Sequence, residues 1–126
     1  MTESAKFPDD VIDAFESAKI IGVRAGAEHR FTGVWGVVVE GRFFVRSWND
    51  KPTGWHRAFL EEPLGSIQVP AGREIRVRAR KVRGERLLDA IDAAYAAKYD
   101  TPASQKWVRG FARSRRRATT TELAPR

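Results

Sequence analysis

"VWGVVVEGRFFVRSW", residues 34–48, holds two runs of β-favouring residues around a Glu-Gly pair. The pattern predicts a hairpin whose two-residue turn is Glu40-Gly41, although Glu is not the favoured first turn residue. Such a turn sets the register: Val39 opposite Arg42, Val37 opposite Phe44, and Trp35 opposite Arg46. All six share one side of the ribbon with Trp48, so Arg46 is expected between one indole across the strand and another along it. The other side carries Val34, Gly36, Val38, Phe43, Val45 and Ser47. Two apolar faces call for cover on both, as in a small barrel with helices or a partner subunit packed outside it.

Working outward, "FPDDVIDAFESAK" (7–19) has Val11, Phe15 and Ala18 at helical spacing behind an acidic first turn. "KIIGVRA" (19–25) reads as a strand and residues 26–33 as a connection. After the hairpin, "NDKPTG" is a loop. "GWHRAFLEEP" (54–63) is a helix with Thr53 as N-cap and Pro63 as its stop. "GSIQV" (65–69) and "EIRVRARKVR" (74–83) are strands around a turn at Pro70 to Gly72. In the second, Ile75, Val77 and Ala79 alternate with Arg76, Arg78 and Arg80, and the pattern slips near Lys81 and Val82. That arginine stripe is either a phosphate-facing strand or an edge strand kept soluble by charge, the second reading being favoured. "ERLLDAIDAAYAAKY" (85–99) is the strongest helix, with Leu88, Ile91 and Tyr95 on one face. Thr101 and Pro102 start a shorter one through Trp107 and Phe111, "RSRRR" (113–117) is a basic loop, and "ATTTEL" (118–123) is a last strand. The order predicts one α+β domain over 1–126, mostly antiparallel and closed into a small barrel.

Composition narrows the chemistry. With no cysteine there is no disulfide framework, thiolate metal site or cysteine nucleophile. The N-terminus has no leader pattern, and no stretch approaches the roughly 18 apolar residues of a membrane span, so a soluble, cytoplasmic protein is expected. The net charge of +7 is uneven: residues 1–50 sum to −2, whereas residues 73–126 carry fifteen Lys or Arg against six acids, a net of +9. That field attracts anions without choosing among nucleic acid, acidic partner and phosphorylated cofactor. His29 and His56 are the only imidazoles and stand in no metal-ligand spacing, and there is no nucleophile elbow, P-loop or dinucleotide fingerprint.

The junction from Arg46 to Arg57 gathers the most chemistry. Arg46, Ser47, Lys51 and Arg57 offer donors to a phosphate where a loop enters a helix, and Trp48 or Trp55 offers a face to an aromatic ring. Two readings stay open: an anion-and-ring site, or a strand residue and core tryptophans, the second favoured for Trp55 by its i+4 partner Phe59. "RSRRR" is either a nucleic-acid contact or a solvated loop.

The stretch "TGVWGVVVEGRFFVRSWNDKPTGWHRAFLEEPLGSIQV" (32–69), with the later "ERLLDAIDAAYAAKY" and "RATTTEL", resembles an uncharacterised bacterial domain family over most of residues 7–123. Its hairpin, its loop cation Lys51, its "GWHRAFLEEP" helix and its "GSIQV" strand are in turn similar to the FMN-binding split-barrel superfamily. That superfamily includes pyridoxamine-phosphate-oxidase-like enzymes and deazaflavin-dependent reductases. The resemblance implies a split barrel, typically of six strands, binding FMN or a deazaflavin coenzyme at or near a homodimer interface. It implies phosphate contacts from Arg46, Ser47 and Lys51, followed by Trp55 and Arg57. The chain departs from the pattern by inserting Pro52, Thr53 and Gly54 before the helix. The resulting expectation is a small-substrate oxidoreductase. The alternatives are a basic nucleic-acid-binding module and a cofactor-free dimeric barrel, and any nucleic-acid binding is expected to be weak and non-specific.

Overall fold

A computed structural model describes residues 6–69 and 73–126, so the turn expected at 70–72 lies outside the described residues. Twelve elements follow one another: α1 Asp9–Ser17, β1 Ile21–Ala25, β2 Thr32–Val34, β3 Gly36–Val39, β4 Arg42–Val45, α2 Trp55–Glu61, β5 Leu64–Gln68, β6 Glu74–Lys81, α3 Glu85–Lys98, α4 Pro102–Phe111, α5 Ser114–Arg117 and β7 Thr121–Pro125. The seven strands form one antiparallel sheet in the order β2-β1-β5-β6-β7-β4-β3.

The hairpin explains how this sheet curls. Glu40 and Gly41 both have positive φ, 55° and 73°, the backbone that a twisted two-residue turn requires. Val39 pairs with Arg42 and Val37 with Phe44, as the turn dictates. The strand entering the hairpin began earlier than the sequence reading placed it. Thr32 and Gly33, expected in a connection, join Val34 in β2, which pairs with β1. Only Trp35 separates β2 from β3, so the two edges of the sheet are consecutive pieces of one bent strand, and the sheet rolls into a nearly closed barrel. Counted as one strand, they give the six that the resemblance implies.

The two apolar faces of the hairpin enter two separate cores. Phe43 and Val45 point into the barrel with Ile21, Val23, Ile67, Val77 and Leu123, joined by Phe15 of α1 and Phe59 of α2. Val37 and Phe44 point outward against Leu88, Ile91, Tyr95 and Tyr99 of the α3 region and Val108 and Phe111 of α4. The outer face is therefore covered by the chain's own helices, and the hairpin alone gives no reason for a partner subunit.

Three other expectations change. The strand carrying the arginine stripe is not an edge: β6 is hydrogen-bonded on both sides, to β5 and β7, and its arginines point to solvent because they stand on the open outer wall of the barrel. Thr53 does not cap α2; Gly54 holds that position without a side-chain hydrogen bond. "RSRRR" is not a free loop but contains the short helix α5, folded back on α3 and on the segment after β4. Thr101 does cap α4, accepting from the Ser104 N–H, with Pro102 opening the helix. Among the described residues no helix is long and apolar enough to cross a membrane.

Candidate functional site

At Trp35 the bent strand leaves β1 and joins β4, and the chain beyond β4 diverges from β2. That divergence leaves a cleft of about 440 Å³. Its walls come from residues 32–35, from the segment 46–51, from Gly54 and Trp55 at the start of α2, and from Trp107 and Phe111 of α4. Trp35, Trp48, Trp55 and Trp107 are the four tryptophans of the chain, and all four line it.

Each indole is held by what surrounds it. Trp35 stacks on Tyr99 with centroids 4.2 Å apart and planes 6° from parallel. The Tyr99 hydroxyl in turn donates to the Lys19 carbonyl at 2.8 Å and accepts from the Gly36 N–H at 3.1 Å. Trp48 meets Trp107 and Phe111 edge-on at 4.9 and 5.3 Å. The Arg116 guanidinium lies 3.5 Å from its ring centre and donates from Nε to the Trp48 carbonyl at 3.0 Å. Glycine at position 110 makes that fit possible, because a Cβ there would stand 2.4 Å from the Trp48 ring. Lys19 and Lys106 sit over Trp35 and Trp107 at 5.4 and 5.2 Å. The cleft thus offers flat apolar surface with cations around it.

The residues expected to clamp a phosphate divide. Arg46 contributes to the cleft wall, but its guanidinium is bonded to other partners. Its side chain is fully buried, with Nε donating to Thr120 Oγ1 (2.7 Å), Nη1 to Asp92 Oδ1 (2.5 Å) and the Phe111 carbonyl (3.0 Å), and Nη2 to the Leu88 carbonyl (3.3 Å). Expected as a phosphate ligand, it is instead an internal tie between β4, α3, α4 and the start of β7, because α3 and α4 cover the face from which it projects. Ser47 lines the cleft, and its Oγ accepts from the Asp50 N–H at 2.9 Å. Lys51 is exposed at the rim and has no ion pair among the described residues. Trp55 lines the cleft and also packs on Phe59. Arg57 is not available as a free cation: it forks onto Asp50 with two bonds of 3.0 Å.

Asp50 was missed by the sequence reading, and so were Trp35 and Trp107 as cleft walls. Asp50 holds a left-handed backbone, φ 47°, and its carboxylate also meets His56 Nδ1 at 2.7 Å. Burial pushes its pKa up, but the bonds from Arg57 and His56 outweigh this and hold it below the ordinary carboxylate value. No local motif marks these residues. The signal available was compositional, four tryptophans in a 126-residue chain.

A family model described as an uncharacterized protein conserved in bacteria, DUF2255, matches residues 10–123. The chain belongs to that family. No curated protein matches it significantly in sequence. Among solved structures, a conserved hypothetical protein from Mycobacterium tuberculosis superposes on this DUF2255 chain with a TM-score of 0.65 at 12% identity, covering 100% of this chain and 85% of the other. A Listeria innocua protein assigned as a pyridoxamine 5′-phosphate oxidase gives 0.62 at 12%, covering 93% and 91%. A heme binding protein from Mycobacterium smegmatis gives 0.50 at 16%, covering 97% of this chain but 52% of its own. Identities this low establish a shared fold.

Proposed function

We propose that the tryptophan-lined cleft binds a planar, anionic cofactor, FMN or a deazaflavin coenzyme, and that the protein is an oxidoreductase for a small substrate. The supporting observation is the convergence of every tryptophan of the chain on one cleft whose rings are attended by Lys19, Lys106 and Arg116. The residues present fit the ring of such a group. For its phosphate they offer Lys51 and the Ser47 hydroxyl, not Arg46. A bound flavin or deazaflavin would supply the hydride or electron chemistry. The chain's own part is positional. Trp48 and Trp107 give the ring a wall, Tyr99 fixes Trp35, and Ser47 and Asp50 shape the loop that carries Lys51. A second copy is proposed to cover the mouth, where Ile20 and Trp107 are exposed.

Titration of the protein with FMN, and separately with a deazaflavin coenzyme, tests this reading. Saturable quenching of most of the tryptophan emission is expected, because all four indoles line the site, with the scattered light of the same samples reporting a dimer. Unchanged emission up to high micromolar concentrations of both would overturn the cofactor reading, and a monomer throughout would remove the second copy.

A further inference from the structure

Two helical segments of this chain each carry one sign of charge and leave it unspent. Helix α1 has four acids and no cation, whereas residues 101–121, from the cap of α4 through α5, have six cations and no acid. Val11 and Phe15 turn α1 into the barrel core, so Asp9, Asp13 and Glu16, four and three residues apart, stand together on its exposed face. Val108 and Phe111 turn α4 toward α3 and the hairpin. That leaves Lys106, Arg109 and, just past the helix, Arg113 exposed at spacings of three and four.

Among the described residues none of these six side chains makes an ion pair. The α1 acid that does is Asp10, with Arg73. Lys98, the cation that acts on Glu16, is already bonded to the Phe15 and Gly36 carbonyls. The mouth of the tryptophan cleft adjoins both helices: Ile20, three residues past α1, and Trp107 of α4 line it and are 59% and 41% exposed. Apolar surface with a negative helix and a positive helix beside it is self-complementary under a two-fold rotation, which lays each helix on its opposite.

We infer that a second copy of this chain docks on this surface about a two-fold axis, with α1 of each protomer lying antiparallel on α4 of the other. The antiparallel sense matches the spacings: Asp9 of one protomer meets Arg113 of its partner, Asp13 meets Arg109, and Glu16 meets Lys106. Ile20 and Trp107 then form the apolar centre and the ion pairs its rim, the usual anatomy of a protein interface. The inference rests on the second copy proposed above and not on which cofactor the cleft takes.

Sedimentation velocity of the cofactor-free protein tests this with two charge-reversed variants, Asp9→Lys/Asp13→Lys and Arg109→Glu/Arg113→Glu, all four positions being exposed. The wild type is expected to dimerise with a dissociation constant on the order of 10 μM and to loosen as salt rises, since the ion pairs stand at the rim. Each variant alone should self-associate roughly a hundredfold or more weakly, because like charges then face each other. An equimolar mixture of the two should restore the dimer, each reversed helix meeting a reversed one and each native helix a native one. A wild type that stays monomeric removes the second copy and this interface with it. A dimeric wild type whose variants associate as tightly keeps the second copy but overturns this face. Variants that are monomeric alone and stay so when mixed also overturn it, since paired charges are what mixing restores.

Discussion

Arg46 places a guanidinium where water does not reach, and its four hydrogen bonds draw on Thr120, Asp92, Phe111 and Leu88. Such a group is tolerated only because each donor is met, and removing it strands the acceptors. Arg46→Ala is therefore expected to lower unfolding stability by about 3 kcal/mol, the low end of the range for breaking a buried pair, since Asp92 is partly exposed. Arg46→Lys should recover part of this, one ammonium being unable to span partners that the planar fork reaches. Urea denaturation of the variants measures both. A loss under about 1 kcal/mol together with weakened cofactor binding would assign Arg46 to the cofactor instead. The cation itself was legible in residues 34–48, but not its surroundings: the ring its guanidinium meets is Tyr95 at 5.6 Å rather than Trp35 or Trp48, and Trp48 is covered by Arg116. Its hydrogen-bond partners were not legible either, because they lie 42 to 74 positions further along the chain.

At the scale of elements, the hairpin was readable because its information is local: a two-residue turn and a period of two leave one register. The helix α3 was readable for the same reason, and the face bearing Leu88, Ile91 and Tyr95 is the buried one. The helix α4 was readable but not its role as a cleft wall, which depends on Gly110 meeting Trp48, and α5 was expected as a loop. On propensity alone Gly110→Ala would stabilise α4 by roughly 0.5–1 kcal/mol. Here the new methyl group meets an indole already held by Arg116, Trp107 and Phe111, whose open side is the cleft. The substitution is expected to give no net stabilisation and to push Trp48 into the cleft, seen as a changed tryptophan emission and weaker ring binding. A variant that is stabilised by the full propensity gain with unchanged emission would show that Trp48 is not constrained by this contact.

For the whole molecule, α3 is bound to both α1 and the hairpin by Lys98, whose Nζ donates to the Phe15 and Gly36 carbonyls at 2.7 Å each. Burial lowers its pKa from 10.5 to about 8, against an opposing pull from Glu16. Between those values the unfolded chain holds a proton that the folded chain has given up, so the Lys98 contribution to stability rises with pH through the window from about 8 to 10.5. Burial raises the pKa of Tyr95 and Tyr99, which works in the opposite direction once pH passes about 10, where the unfolded tyrosines ionise first. The gain from pH 8 to about 9.5 should stay below the ~1.4 kcal/mol per unit of a fully shifted group, because Lys98 is only half-buried. Denaturation at these two pH values should show that rise in the wild type and its loss in Lys98→Met. An equal slope in both proteins would assign the dependence to other groups.

The sequence by itself determined the α+β class, the hairpin and its register, most strand and helix positions, the buried face of α3 and the presence of two apolar faces on the hairpin. These rest on turn chemistry and periodicity, which act over a few residues. Tertiary structure alone decided that β2 and β3 are one strand bent at Trp35, that β6 lies inside the sheet, that Arg116 and Arg117 fold back onto Trp48 and Asp92, and that the four tryptophans meet. The physical reason is that barrel closure joins segments from both ends of the chain, and a side chain's partners are set by which segments closure brings beside it. An arginine in a strand is the same letter whether it faces water, a ligand or a helix, and only the packing around residue 46 chose the last.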